Sequence, residues 1–186
     1  AKNVTIRDNI VQNITSVQSD KYVKGSEHGP AFAKGINPNG RFDGLTIKNN
    51  TIRNIGNEYS AGANGIDLST ANGDGPENFT IASNDIDELT VDGKSYDAAY
   101  LDANALYIHT YADLGEDHTV SQNNFEDGRI YRNTDGLDDH TLNATNNWWG
   151  SPNGPNSPEN TYYDGNQGVN VTDNVDFTPW LNASTD

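Results

Sequence analysis

The stretch "LTIKNNTI", residues 45–52, carries the pattern that decides the fold of this 186-residue chain. Its first and third places are apolar, its second is Thr, its sixth is Asn and its eighth is apolar again. Alternation of apolar and polar residues is typical of a β-strand with one buried face. The Asn predicts a turn after the strand, because Asn tolerates left-handed backbone angles and its amide bonds to nearby backbone. The eighth side chain is then expected to return to the core.

Four further copies of this pattern occur along the chain. They are "VTIRDNIV" (residues 4–11), "FTIASNDI" (79–86), "HTVSQNNF" (118–125) and "LNATNNWW" (142–149), and the sixth place is always Asn: Asn9, Asn50, Asn84, Asn123 and Asn147. Successive copies are 41, 34, 39 and 24 residues apart. A constant motif with variable spacing predicts a stacked solenoid whose loops differ in length. At the strand separation of about 4.8 Å, the five asparagines should form a hydrogen-bonded ladder.

A second strand pattern supports the same architecture. It appears as "KGINPNG" (residues 34–40), "NGIDLST" (64–70) and "NALYIHT" (104–110). The third place is apolar in each copy and is expected to face the core, so the fourth place, which includes Asp67 and Tyr107, would face outward. We therefore predict an all-β protein, a parallel β-helix of about four to five rungs. We expect it to be right-handed, because parallel crossover connections nearly always are.

Composition excludes several classes of function. The chain has no Cys, so it has no disulfides and no thiolate metal site, which fits an exported protein. Asp and Glu number 27 against 11 Lys and Arg, and the net charge of −16 argues against nucleic-acid or anionic-membrane partners. No apolar run reaches the roughly 18 residues of a membrane-spanning helix, so no membrane span is predicted.

Two sequence features resemble a known family. The repeated "TIxxNxI" units are similar to the right-handed parallel β-helix repeats of the pectin-lyase-like superfamily. The ending "NATNNWWGSPNGPN" (residues 143–156) with "VDFTPWL" (175–181) resembles the terminal motif of many secreted and cell-surface β-helix proteins of bacteria and archaea. The resemblance implies a secreted or cell-surface location. It leaves the activity open, because the superfamily includes polysaccharide lyases, glycoside hydrolases and epimerases as well as surface proteins without known chemistry.

The ending is predicted to close the solenoid. We expect β-helix coils over residues 1–145 and a capping segment of the same domain over residues 146–186. Trp149 takes an inward place and would close the core, while Trp148 would be covered by Pro179 and Trp180. Sugar stacking is the alternative role for these tryptophans. His118 also falls at an inward place, which favours a hydrogen-bonded core histidine over a metal ligand.

The best catalytic candidates are Asp67, Tyr107 and His109. Tyr107 and His109 could supply base and acid for β-elimination or epimerisation beside a uronate carboxylate. Such reactions also need a cation for that carboxylate, and the cluster offers none if Lys34 points inward or into the turn. An ordinary exposed face and a ligand-binding face therefore remain alternatives to catalysis.

Calcium is the one cofactor candidate, and none is required by the fold. "DLGEDH" offers Asp113, Glu116 and Asp117, and "DGLDDH" offers Asp135, Asp138 and Asp139. Hard cations prefer several oxygen ligands from a flexible loop. Neither stretch matches the EF-hand loop or the glycine-rich calcium repeat, and solvated acidic turns are the alternative.

We favour a binding or structural role, facing polysaccharide or glycan, over an enzyme of an acidic polysaccharide. An active groove usually needs more rungs than this chain provides. Because the sequence opens inside a repeat, the rung around residues 4–11 is expected to need a cover. An upstream domain or end-to-end self-association would supply it.

Overall fold

The computed structural model of the protein describes residues 1–16, 32–57, 62–69, 76–91, 102–109, 114, 117–133, 141–161 and 168–185. These residues contain fifteen β-strands and no helix. In chain order the strands are β1 (Lys2–Arg7), β2 (Ile10–Ser16), β3 (Ala33–Ile36), β4 (Asp43–Lys48), β5 (Thr51–Asn57), β6 (Ala63–Asp67), β7 (Thr80–Ala82), β8 (Asp85–Val91), β9 (Ala103–His109), β10 (Thr119–Ser121), β11 (Asn124–Phe125), β12 (Arg129–Asn133), β13 (Leu142–Asn143), β14 (Asn170–Val171) and β15 (Val175–Asp176). Within the described part of the chain, no helix is long and apolar enough to cross a membrane.

The chain visits three parallel sheets in rotation, and β13 and β15 form a fourth, two-stranded sheet. The first sheet has the order β1-β4-β7-β10, the second β2-β5-β8-β11 and the third β3-β6-β9-β12-β14. Four successive segments, each called a coil below, contribute one strand to each sheet: β1–β3, β4–β6, β7–β9 and β10–β12. This topology is consistent with an all-β solenoid.

The strand register confirms both predicted alignments. In the first sheet the second-place threonines pair across all four coils: Thr5 with Thr46, Thr46 with Thr80, and Thr80 with Thr119. In the third sheet Ile36 pairs with Ile66 and Ile66 with Leu106. Differences in loop length are therefore absorbed between the strands, while the aligned positions stay in phase.

Apolar side chains at the third and eighth places build the core. Ile47, Ile81 and Val120 are fully buried at the third place, and Ile52, Ile86 and Phe125 are fully buried at the eighth. In the first coil the equivalent Ile6 and Val11 are only partly buried and pack against this core from one side. Burial therefore requires a neighbouring coil on both sides.

The predicted asparagine ladder is present. The Asn50 Oδ1 accepts hydrogen bonds from the backbone N–H and side-chain amide of Asn9, at 3.1 and 2.9 Å. The same paired bonds link Asn50 to Asn84, Asn84 to Asn123 and Asn123 to Asn147. Each ladder amide from Asn50 onward also donates to a backbone carbonyl of the preceding coil. The ladder therefore satisfies backbone groups that the turn removes from the sheets.

The turn itself lies one residue earlier than predicted. Left-handed φ angles occur at the fifth place of the repeat: Asp8, Asn49, Ser83, Gln122 and Asn146, with φ between 54° and 58°. The ladder asparagines do not have positive φ. The prediction that the sixth-place Asn adopts the left-handed angle was wrong, because that residue instead presents its amide and N–H to the next coil. Ser83 and Gln122 adopt a left-handed φ that is energetically unfavourable for Ser and Gln.

The tail covers the last coil. β15 pairs in parallel with β13, and the Leu181 N–H donates to the carbonyl of Asn147 at 2.9 Å. Trp149 is fully buried with its ring 5.4 Å from that of Phe125, as its inward place predicts. The division at residues 145/146 stays a prediction, and the pairing of β13 with β15 crosses it.

Trp148 hydrogen-bonds outside the tail, and its expected cover by Pro179 and Trp180 stays a prediction. Its indole N–H donates to Glu126 Oε1 at 2.7 Å, and its ring remains partly exposed. Trp180 lies against Phe177, with ring centroids 6.2 Å apart, and donates its indole N–H to the Pro152 carbonyl at 3.1 Å.

His118 is a core histidine, as predicted. Its ring is buried and lies 5.7 Å from that of Phe79. Its Nε2 is 3.1 Å from the Thr141 carbonyl oxygen and 3.3 Å from the Asn143 backbone nitrogen. These contacts tie the fourth copy of the repeat to the fifth.

Candidate binding surface on the third sheet

Asp67 is buried rather than exposed, which corrects the expectation from its outward place. Its side chain is 1% exposed. Asn64 donates to Oδ2 at 2.7 Å, while the Ser69 backbone N–H donates to Oδ1 at 2.8 Å and the Ser69 hydroxyl bonds to the same oxygen. The Asn37 amide adds a longer bond to Oδ1 at 3.2 Å. A carboxylate with this many donors is held as an acceptor and is a poor candidate for a general base.

Lys34 supplies the cation that the cluster was expected to lack. Its Nζ lies 2.9 Å from Asp67 Oδ2 and 3.4 Å from Ser69 Oγ. The Lys34 side chain is 30% exposed, so it points neither into the core nor away from this face. The ion pair compensates the buried charge of Asp67, which would otherwise be costly.

A chain of polar contacts crosses four coils on this face. Lys34 pairs with Asp67, which accepts from Asn64, and the Asn64 Oδ1 accepts from the Asn104 amide at 2.8 Å. Arg129 continues the chain by donating from Nε to Asn104 Oδ1 at 2.8 Å. It is a second side-chain ladder, with a partly exposed cation at each end.

Flat rings lie beside this polar chain. The Tyr107 and Tyr131 rings are nearly parallel, with centroids 5.1 Å apart and an interplanar angle of 8°. The His109 ring is also nearly parallel to that of Tyr107, at 6.1 Å and 7°. We call His109, Tyr107 and Tyr131 the aromatic row. The stacking of Tyr107 on Tyr131 follows from the strand register, since the two residues pair on neighbouring strands. His109 lies two residues after Tyr107 on the same strand.

Arg129 fixes the far end of the aromatic row. Its guanidinium carbon lies 4.5 Å from the centroid of the Tyr131 ring, within cation–π range. The same guanidinium forms an ion pair with Asp102 at 2.5 Å and bonds to Asn104. Tyr107, His109 and Tyr131 are each partly exposed. The row is therefore a rigid, partly exposed aromatic edge with its cation already oriented.

Of the six predicted calcium ligands, only Asp117 lies in the part of the chain that the structure describes. Asp113, Glu116, Asp135, Asp138 and Asp139 lie outside the described residues, and Asp117 is exposed. No group of three or more acidic or histidine side chains suited to a metal ion occurs within the described ranges. The calcium assignment stays a prediction.

Two clefts lined by described residues lie away from the aromatic row. One cleft of about 350 Å³ is lined by tail residues that include Glu159, Asp176 and Thr178. Another of about 300 Å³ lies beside Lys2, Arg41 and Glu77 at the first coil. The aromatic row contributes to neither of these two clefts.

Sequence reasoning found Tyr107 and His109 but missed Tyr131 and Arg129. The missed signal is "GRIYRN" (residues 128–133), a shorter copy of the second strand pattern. Its register places Ile130 beside Leu106. Gly128 has a φ of 83°, and an added Cβ there would lie 2.8 Å from the Ala105 nitrogen, so only Gly fits where the other copies have Lys34, Asn64 and Asn104.

Comparison with protein-family models, with curated proteins and with solved structures finds no match to this chain. Its function must therefore be argued from the site itself.

Proposed function

We propose that the protein is a right-handed parallel β-helix, secreted or held at the cell surface, that binds carbohydrate through the aromatic row. The right-handed path is supported by the parallel order of all three sheets and by the strong preference for right-handed crossovers. A terminal cap formed by the Trp-containing tail agrees with the burial of Trp149.

The observation that carries the binding proposal is the aromatic row itself. Aromatic rings bury large apolar areas on contact, and Tyr also offers a hydroxyl for hydrogen bonding to a sugar. The rings are held in one orientation by stacking and by Arg129, so binding would lose little side-chain entropy. Lys34, Asn37 and Ser69 extend the same face with polar groups.

Glycan binding is tested by screening the protein against neutral and acidic oligosaccharides, followed by calorimetry on the best ligand. We expect Tyr131→Leu to weaken binding by about 3- to 10-fold, the effect of one lost aromatic contact. Tyr131→Phe keeps the ring and should bind within about 3-fold of the wild type. Thr46→Ala, on the first sheet, is the control for an unrelated face. Equal affinity of all three variants would refute the row as the binding surface.

A second candidate function rests on the adjacent Tyr107 and His109 rings, which could exchange protons with a substrate. This is the enzymatic alternative, a polysaccharide lyase, glycoside hydrolase or epimerase of an acidic polysaccharide. Incubation with pectate, alginate and glycosaminoglycans, with and without Ca²⁺, decides between the two. A lyase releases unsaturated ends that absorb ultraviolet light, and His109→Ala should abolish that signal. Reducing-end and sugar-configuration assays cover the other two reactions.

A further inference from the structure

The first strands of the three sheets that the coils share lie at the same end of the molecule. β1, β2 and β3 are edge strands of the first, second and third sheets. Edge strands present backbone donors and acceptors that another strand can pair with. Side chains that are fully buried in later coils are only partly buried here: Val4, Ile6, Val11 and Ile14. Ile10, with 71% of its surface exposed, lies beside them.

The asparagine ladder is incomplete at this same end. The side-chain oxygens of Asn50, Asn84, Asn123 and Asn147 each accept a backbone N–H and a side-chain amide from the coil before. The Asn9 side chain donates to Asn50 and to the Arg7 carbonyl, but its oxygen accepts no hydrogen bond from the described residues. Each ladder Asn donates to the next one along the chain, so among the described residues the side-chain oxygen without a donor is that of the first member, Asn9.

The donors that the Asn9 oxygen lacks in the described part of the chain indicate what kind of structure would cover this end. Four times within this molecule, an Asn-bearing strand pair supplies an N–H and an amide to such an oxygen. At each junction it also supplies apolar side chains at the third and eighth places. A surface that continues a contact already repeated four times fits a fifth coil of the same kind.

The tail-covered end of a second copy of this chain does not fit against β1, β2 and β3. There β15 lies on β13, Leu181 bonds to the Asn147 carbonyl, and Trp149 is fully buried. Head-to-tail stacking would have to displace this tail. Head-to-head stacking would bring two Asn9 acceptors together without a donor.

We propose that the end formed by β1, β2 and β3 is a strand-addition site for an Asn-bearing β-coil, whose strands run parallel to β1 and β2. The coil donates its Asn N–H and amide to Asn9 Oδ1 and covers Ile6 and Val11. This inference rests on the strand topology and the ladder, and it is independent of carbohydrate binding.

The decisive experiment adds such a coil from the chain's own sequence. A variant with a second copy of residues 43–76 ahead of Ala1 places an additional Asn50 35 residues before Asn9, within the range of spacings already present. We expect its thermal midpoint to rise by about 5 °C or more, because an added repeat contributes its interface energy. Amide exchange in β1 and β2 should slow by about 10-fold or more. The matched control carries Asn50→Ala in the added copy only, and it should lose at least half of the gain.

A separate chain is tested with a labelled synthetic peptide of residues 43–57 and the intact protein. Binding that weakens by about 5-fold with Asn50→Ala in the peptide, the effect of one lost side-chain hydrogen bond to Asn9, would show that the site accepts a coil in trans. Binding only in the extended variant would mean that the coil must be covalently joined. Both outcomes support the proposal.

Three results would overturn it. One is an extended variant no more stable than its Asn50→Ala control, together with no peptide binding. Another is slow exchange of β1 and β2 in the unmodified protein, because the chain would then cover this end itself. The third is a concentration-dependent dimer that Ile6→Lys abolishes and Thr5→Lys does not, because the occupant would then be a second copy.

Discussion

The two ends of the ladder carry the same repeat in opposite environments. At the first end Asn9 is exposed, and Ile6 and Val11 are partly buried. At the last end Asn147, Ala144 and Trp149 occupy the sixth, third and eighth places with no exposed surface. The difference shows that the motif by itself does not bury its residues. A coil becomes a core only when another layer lies on each side of it, which is the energetic rule of repeat proteins.

The largest contrast is expected between the adjacent tryptophans. Trp149→Ala should lower the free energy of unfolding by about 4 kcal/mol, because it removes the side chain that fills the last turn. The Trp149 indole N–H bonds to none of the described residues, so the loss is one of packing. Trp148→Ala should cost about 1.5 kcal/mol, from its bond to Glu126 and part of its contact area. Urea unfolding measures both. Equal costs would contradict the assignment of Trp149 as the closing side chain.

The middle and the start of the ladder give the next contrast. Asn84→Ala should cost about 3 kcal/mol, because it removes the buried hydrogen bonds of Asn84 to the Ile47 carbonyl and to the Asn50 backbone N–H. Asn9→Ala should cost less than about 1 kcal/mol, since water can replace its exposed amide. Comparable destabilisation by the two variants would mean that the first end is covered in solution.

Two glycines with matching backbone angles sharpen the comparison further. Gly154 in the tail has a φ of 83°, and a Cβ there would lie 2.7 Å from the Trp180 ring. Gly44 in β4 has a φ of 80°, and its added Cβ would lie 2.7 Å from the exposed Asn3 side-chain oxygen but no closer than 3.5 Å to the Asn3 backbone. Gly154→Ala should therefore cost about 2 kcal/mol, and Gly44→Ala about 1 kcal/mol from strain alone. Thermal unfolding of the two variants is the check. The reverse order would show that the tail adapts more easily than the first coil.

The smallest effect is a pH dependence at the first end. A hydrogen bond from the Asn78 amide, and then the nearby Lys2 ammonium, hold the pKa of Asp43 below its ordinary value of 3.8. A lowered pKa means that the stabilising contribution is complete above the ordinary value and is lost as the pH falls through the lowered one. Asp43→Asn should therefore be slightly less stable than the wild type near neutral pH, with the difference shrinking below pH 3.8. Urea midpoints between about pH 2 and pH 6 test this. A difference that does not change with pH would assign the effect to packing.

The ladder and the inward columns could be predicted because they depend on local rules. Strand alternation fixes which side chains face the core, and a repeated Asn at one offset can align only with its own copies. The position of the turn was missed by one residue, because Ser83 and Gln122 at the fifth place do not favour left-handed angles. Backbone geometry there follows from the ladder hydrogen bonds and not from the propensity of the residue that turns.

The candidate surface was less predictable because it depends on contacts between coils. The outward place of Asp67 gave no sign of the Lys34, Asn64 and Ser69 contacts that bury it. Arg129 and Tyr131 lie on a strand whose copy of the pattern has Gly128 in place of Lys or Asn, so the alignment did not reveal it. Side-chain partners 25 or more residues apart become visible only once the stacking register is known.

The placement of the tryptophans gives the protein a built-in optical reporter. All three, Trp148, Trp149 and Trp180, lie at the closing end, and the first four coils contain none. Tyrosine is spread along the chain, so excitation that selects tryptophan reports on one terminus while far-ultraviolet dichroism reports on all strands. A fluorescence transition that coincides with the dichroism transition would mean that the solenoid unfolds as one unit. If the dichroism transition comes first, the coils near β1 unfold before the tail, and the separation between the transitions measures how much of the chain does so.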